Sequence, residues 1–235
     1  MITKHSCIKL LPLVFYMLFL AGCGSGNGSG PVQNTSNLSE GLVAHWSFDN
    51  GDARDDSGNG LDGNLYGVTP TTDRFGNAGK ALSFDGSSYV VMPNGSTLNI
   101  SGEGTVSLWV KENGDTGTLL WKRFYTGSIG WTLYIGFPNT VIGYVNENAS
   151  LVISSITQGQ WQHVVLVYGQ NHMKLYVNGI LRSSTANTNG FQASDADLYI
   201  GKDDSGNYYK GAIDDVRIYN RALTDAEVVG LFNTP

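Results

Sequence analysis

The chain has 235 residues, with 14 Lys and Arg against 20 Asp and Glu and a net charge of −6. That length is long for one average domain but ordinary for a single large one, and an acidic balance without a basic stretch argues against a nucleic-acid partner. Its only cysteines, Cys7 and Cys23, provide no disulfide framework, so the folded part must stand on its core.

The first element in chain order is a leader. Lys4 and Lys9 precede an apolar run over residues 10–21, the charged and hydrophobic parts of a secretory signal. A bilayer span needs about 20 apolar residues, so this run predicts a cleaved signal. Leu20-Ala21-Gly22-Cys23 resembles a bacterial lipobox, which implies cleavage before Cys23 and acylation of its thiol and amine. Each buried methylene contributes roughly 0.8 kcal/mol, so several chains hold a protein on a membrane where one does not. The expected organisation is a signal peptide over 1–22, lipidated Cys23 with a Gly/Ser-rich tether over 23–40, and a domain over 41–235. As a coil the tether spans roughly 21 to 25 Å. Without the leader, 12 basic residues face 20 acidic ones, a net charge of about −8. Gly24 replaces the Asp that resembles an inner-membrane retention signal. The expected location is the cell envelope, at the outer membrane if the host is Gram-negative.

Beyond residue 41, Gly and Asn punctuate short aromatic and β-branched segments, an all-β signature. Strands are predicted over 42–48, 81–84, 89–92, 105–111, 118–124, 131–135, 141–145, 161–168, 173–177, 198–200 and 212–219, a number suited to a two-sheet antiparallel sandwich. Met173-Lys174-Leu175-Tyr176-Val177 alternates, and Asn178-Gly179 predicts a type I′ turn returning through Ile180-Leu181-Arg182. Thr224-Asp225-Ala226-Glu227 reads as a capping box opening a short C-terminal helix with Val228, Leu231 and Phe232 on one face.

Several segments in a fixed order carry a family resemblance. They include Gly41-Leu42-Val43-Ala44-His45-Trp46-Ser47-Phe48-Asp49, Gly79-Lys80-Ala81-Leu82-Ser83-Phe84-Asp85-Gly86 and Thr105-Val106-Ser107-Leu108-Trp109-Val110. Later come Gln160-Trp161-Gln162-His163-Val164-Val165, Leu175-Tyr176-Val177-Asn178-Gly179 and Gly211-Ala212-Ile213-Asp214-Asp215-Val216-Arg217-Ile218-Tyr219. From Gly41 to Phe232 the chain resembles a laminin-G-like, concanavalin A-like jelly roll. The resemblance implies two curved antiparallel sheets with the terminal strands side by side. It does not imply one function, because such folds host lectins, adhesion domains and some glycosidases.

Glycosidases of that superfamily place two Glu and an Asp within a few residues of one strand, as a nucleophile and an acid. Here the nearest two Glu, Glu103 and Glu112, are nine positions apart, and the adjacent pairs Asp55-Asp56, Asp203-Asp204 and Asp214-Asp215 point opposite ways if extended. No Gly-x-Ser-x-Gly elbow is present, and His45, His163 and His172 lack a second His at zinc spacing. No catalytic residue is assigned, and a non-enzyme is expected.

Calcium, an ion that laminin-G-like domains often hold, is the expected cofactor in a structural role. Its candidate ligands are Asp55, Ser57 and Asn59, oxygen side chains at alternate positions before Gly60, and Asp49 with Asp214, which neighbouring terminal strands would bring together. Alternation puts Asp214 on the face of Ala212, Val216 and Ile218, where a carboxylate needs a partner. The alternative is a pair with Arg217 or Arg221, or capping of backbone amides, with residues 55–60 only a turn. For a saccharide, aromatic rings with polar handles are the expected contacts, and Trp121, Tyr125, Tyr208 and Tyr209 are the candidates. Trp46, Trp109 and Trp161 fall in segments that resemble the family's core, and Trp131 is read the same way, so all four are expected to be structural. The expected function is a lipid-anchored, non-catalytic envelope protein that binds extracellular carbohydrate or glycoconjugate. The alternative is a protein-binding adhesion or structural module without sugar affinity. A broad apolar patch would favour protein, and exposed aromatics among amides would favour sugar. No oligomer signal is visible.

Overall fold

Strands that alternate buried and outward residues need a second layer to cover the apolar side. The computed structural model describes residues 37–123, 129–145, 149–153, 155–169, 172–186 and 190–234, with backbone alone described for 149–153. Cys23, the signal and most of the tether, and Tyr125 lie outside these residues.

In chain order the strands are β1 Leu42–Trp46, β2 Asn64–Tyr66, β3 Thr69–Thr71, β4 Ala81–Asp85, β5 Tyr89–Met92, β6 Gly104–Glu112, β7 Gly117–Arg123 and β8 Gly130–Gly136. They continue with β9 Thr140–Val145, β10 Ala149–Ile153, β11 Trp161–Gly169, β12 His172–Val177, β13 Ile180–Ala186, β14 Leu198–Ile200 and β15 Lys210–Tyr219, and helix α1 Asp225–Asn233 closes the chain. One sheet runs β13-β12-β11-β6-β15-β4-β3, with β1 also on β15, and the other runs β10-β9-β8-β7-β14-β5-β2. Every pairing is antiparallel. This is the all-β jelly-roll sandwich, with the first and last strands adjacent as the resemblance implied.

The predicted strands match the observed ones to within about two residues at each end, except that the hairpin's return strand, expected over Ile180-Leu181-Arg182, runs on to Ala186. Three strands were not anticipated, β2, β3 and β10, and all three are edge strands. Along β2 every residue is exposed, and β3 contains Pro70, so neither carries the alternation that betrays a half-buried strand. At the hairpin, Asn178 and Gly179 take φ of 53° and 72°, as a type I′ turn requires. At the helix start Thr224 Oγ1 accepts the Glu227 N–H at 3.2 Å while Glu227 Oε2 accepts the Thr224 N–H at 2.8 Å, so the capping box forms.

Between the sheets lie Trp46, Phe48, Phe84, Leu108, Trp131, Leu166, Val216 and Ile218, among others. A smaller cluster on the outer face of the first sheet packs Val165, Val167, Tyr176 and Tyr219 under Leu223, Val228 and Leu231 of the helix region. Trp109 and Trp161 depart from expectation. Because Leu108 and Val110 point inward, Trp109 is turned onto that outer face, where Phe232 stacks on it at 5.6 Å. Trp161, two positions before His163 on β11, is half-buried.

Strand β15 departs from simple alternation. A β-bulge between Asp214 and Arg217, with Asp215 at φ 52°, shifts the phase by one residue. Ile213, Val216 and Ile218 therefore all face the core, and Asp214 points outward beside Trp109 instead of sharing the face of Val216 and Ile218.

Candidate functional site

The bulge on β15 gathers an ionic cluster on the outer face of the first sheet. Arg74 Nη1 lies 3.0 Å from Asp214 Oδ2, and Asp215 accepts from His45 Nε2 at 2.7 Å and from Arg217 Nη1 at 2.7 Å. The Arg74 guanidinium is held between the rings of Phe75 and Trp109, 4.5 and 4.7 Å from their centroids. Burial, reinforced by the neighbouring Asp215 charge, pushes Asp214 up to about 7 against the pull of Arg74. Burial acts on Asp215 in the same sense, but the hydrogen bond from His45 and the charges of Arg217 and Arg74 outweigh it and hold Asp215 below its usual range. Next to this cluster, fully buried His163 hydrogen-bonds Ser107 at 2.8 Å, and burial brings it down to about 3.

Asp49 and Asp214 line one cavity of about 340 Å³, as the neighbouring terminal strands suggested. Their partners are basic side chains. Asp49 is exposed with Lys80 at 3.6 Å, and Asp214 pairs with Arg74, where the alternative to calcium had offered Arg217 or Arg221. In the turn over residues 55–60, Asp55 Oδ1 accepts the N–H groups of His45 and Ser57, and Oδ2 accepts Ser57 Oγ and the Leu61 N–H. A carboxylate offers about four acceptor positions, and all are taken. Burial raises the Asp55 carboxyl, but these hydrogen bonds outweigh it and hold it below its ordinary value. Asn59 turns its amide to the Val43 carbonyl at 2.9 Å. Among the described residues no group of three or more His, Cys, Asp or Glu is arranged to hold a metal ion. Asp55 and Asp214, the central carboxylates of the two expected calcium sites, do not fit that role, because the backbone and Ser57 occupy the first and Arg74 neutralises the second.

The outer face of the second sheet has a different character. Directly opposed residues share a face, so the pairings Asn64↔Val91, Val91↔Tyr199, Tyr199↔Trp121, Trp121↔Thr132 and Thr132↔Tyr144 define one row across six strands. Beside it Tyr66 and Tyr89 stack with centroids 4.7 Å apart and planes 7° apart. Tyr199 and Tyr208 each lie 6.2 Å from Tyr89. Lys202 Nζ sits 4.1 Å from the Tyr89 centroid and 4.6 Å from that of Tyr199, a cation over ring faces. Toward the other edge Tyr134 and Tyr144 stack at 5.7 Å. Tyr66 is 48% exposed and the other tyrosines of this face are half-buried.

Of the predicted contacts, Tyr208 joins this tyrosine cluster. Trp121 lies in the row but forms its floor, 8% exposed with the Arg123 guanidinium 5.7 Å over its ring. Tyr209 is a correction. Pointing the opposite way from Tyr208, it is fully buried against Phe84, and its hydroxyl donates to the Lys111 carbonyl at 2.9 Å. Tyr66, Tyr89, Tyr199 and Lys202 were missed. Tyr89 and Tyr199 stood outward in predicted strands, which was a usable signal, but their convergence needs the strand order β14-β5-β2.

The architecture is that of a lectin-like binding domain. Residues 84–229 match the family described as the concanavalin A-like lectin/glucanases superfamily, in its laminin-G form, and with more than half of its length matched the chain belongs to that family. Among solved structures, domain 4 of AbnA, a GH43 extracellular arabinanase from Geobacillus stearothermophilus, in complex with arabinotriose, is 27% identical. The similarity covers 82% of this chain and 98% of that domain, with a TM-score of 0.66. The binding domain of Paraclostridial Mosquitocidal Protein 1 is 20% identical over 83% of this chain and 52% of its own, with a TM-score of 0.69. A botulinum neurotoxin type C structure, whose cell entry depends on interaction with two ganglioside molecules, is 16% identical over 84% and 52%, with a TM-score of 0.67. The chain spans about half the length of these toxin chains, and their likeness is one of fold. No curated protein matches the chain.

Two outcomes are expected. Below pH 6.5 the unfolded chain protonates at His163 and the folded chain does not, so His163 removes stability on acidification by up to about 1.4 kcal/mol per pH unit until about pH 3. Asp214 acts in the opposite sense, because the folded chain holds its proton from about pH 7 down, where the unfolded carboxyl waits until about 3.8. Asp214→Asn will therefore lose stability more steeply than wild type between pH 6.5 and 4 in urea denaturation. Asp55→Ala will lose about 2 kcal/mol or more, and the loss will be equal in calcium and in chelator.

Proposed function

We propose that the protein is a lipid-anchored, non-catalytic cell-envelope protein that binds extracellular carbohydrate or glycoconjugate on the outer face of its second sheet. The observation that carries this reading is the convergence of Tyr66, Tyr89, Tyr199 and Tyr208 around Lys202. Ring faces accept the apolar face of a sugar, while phenol hydroxyls, the ammonium and the exposed amide of Asn64 can bind its hydroxyls. The arabinotriose complex of the AbnA domain supports a saccharide ligand and makes arabinotriose the first probe. Lipobox-like Leu20-Ala21-Gly22-Cys23 supports the anchor.

The test is a glycan array that includes arabinotriose, run with the full chain. Saturable binding to one sugar class is expected, with affinity reduced roughly 5- to 10-fold in Tyr66→Ala, whose exposed position leaves the fold intact. Uniform silence from a protein with native circular dichroism would favour the protein-binding or structural alternative. For the anchor, Cys23→Ser is expected to move the protein from the membrane to the soluble fraction, and retention on the membrane would overturn it.

A further inference from the structure

The fold resemblance leads one to expect a structural cation, yet Asp55 and Asp214, the central carboxylates of the expected sites, are already taken up by the backbone with Ser57 and by Arg74. A positive charge does sit in an all-oxygen cage at another place in the sandwich. Lys122, on β7, is 1% exposed. Its Nζ donates to Asn94 Oδ1 at 2.9 Å, to Asn99 Oδ1 at 3.3 Å and to the Ser194 carbonyl at 2.8 Å, and it contacts the Ala196 carbonyl. An ammonium has three protons, so four oxygens around it form a coordination shell and not a set of separate pairs. Side-chain and main-chain carbonyls of this kind are the ligands that hard cations take. No carboxylate among the described residues closes an ion pair with Nζ. Asp197 Oδ1 instead accepts the Asn94 N–H at 2.7 Å and so braces the cage from outside. Burial draws Lys122 down to about 8 against the pull of Asp197 and Asp195, which leaves it protonated at neutral pH.

The cage has a position with consequences. Asn94 follows β5 and Ala196 precedes β14, the strands that carry Tyr89 and Tyr199. Without a central positive charge, four oxygens from two loops would face one another in a buried space, an unfavourable arrangement. We propose that this cage is a cation site filled by the chain's own Lys122 ammonium in place of a metal ion, and that Lys122 thereby fixes the loops at the ends of β5 and β14. The inference stands whether or not the aromatic face binds a saccharide.

The test uses the purified full chain. Wild type is expected to melt at the same temperature in calcium and in chelator. Lys122→Ala, which empties the cage, should lower the Tm by roughly 5 °C or more and regain part of that loss in calcium, potassium or ammonium chloride. Tetramethylammonium chloride at equal ionic strength, too bulky for the cage, should not restore it. Lys122→Met, which fills the space with an apolar chain, should be destabilised and indifferent to every salt. An unchanged Tm in Lys122→Ala, or a loss that no small cation relieves, would overturn the proposal. Should Lys122→Ala fail to fold in any salt, wild-type NMR decides. A lysine ammonium signal protected from exchange at pH 7, and lost in Asn94→Ala/Asn99→Ala, supports the cage, and its absence overturns it.

Discussion

Strand β15 must satisfy three neighbours, and the rest of the sandwich depends on how it does so. Along one edge it pairs with β6 for almost its whole length, while the other edge meets β4 through residues 210–213 and β1 through residues 216–219. The changeover falls at the bulge. There Asp215 adopts a left-handed backbone conformation that costs a non-glycine residue about 1 kcal/mol or more. His45, Arg74 and Arg217 close on its carboxylate and offset that cost. The same bulge keeps Ile213, Val216 and Ile218 in one apolar layer, so sheet closure and core formation share one local device.

Because the ionic cluster occupies part of the first sheet's outer face and α1 covers another part, that surface is largely spent on holding the fold. The second sheet is free of such duties on its outer side. The core needs apolar residues only on the inward side of strands β2, β5, β7, β8, β9 and β14, which leaves outward positions open to tyrosine, threonine and asparagine beside Val91 and Trp121. Lys122 links the two regimes. Rooted on β7 behind Trp121, it orders the loops that flank the aromatic strands from inside the sandwich. The face proposed as the binding surface is thus the one that carries neither the buried ionic cluster nor the covering helix.

Much of this was legible residue by residue. Trp46 and Trp131 read as core and are core, Asn178-Gly179 turns the hairpin, and Thr224 with Glu227 caps the helix. The hairpin and the cap rest on backbone preferences within a few positions, and the two tryptophans on the family resemblance of their segments. Trp109 misled because its neighbours on both sides are more strongly apolar, and Asp214 misled because an inserted residue reverses alternation without a mark in composition. Tyr209 beside Tyr208 shows the limit of a motif. Two identical adjacent residues take opposite fates, one at the surface and one fully buried against Phe84.

From the chain alone came the all-β class, the positions of the long strands, the closing helix and the expected leader, all of them properties of local pattern. The partners of Asp214, Asp55 and Lys122, and the meeting of Tyr66, Tyr89, Tyr199 and Tyr208, came only from the folded arrangement. Arg74 is 140 positions from Asp214, and Lys122 is more than 70 from Ser194. Such pairs are set by which strands lie side by side and by where a bulge changes their phase. Alternation says that a residue points outward, and sheet order alone says what stands beside it.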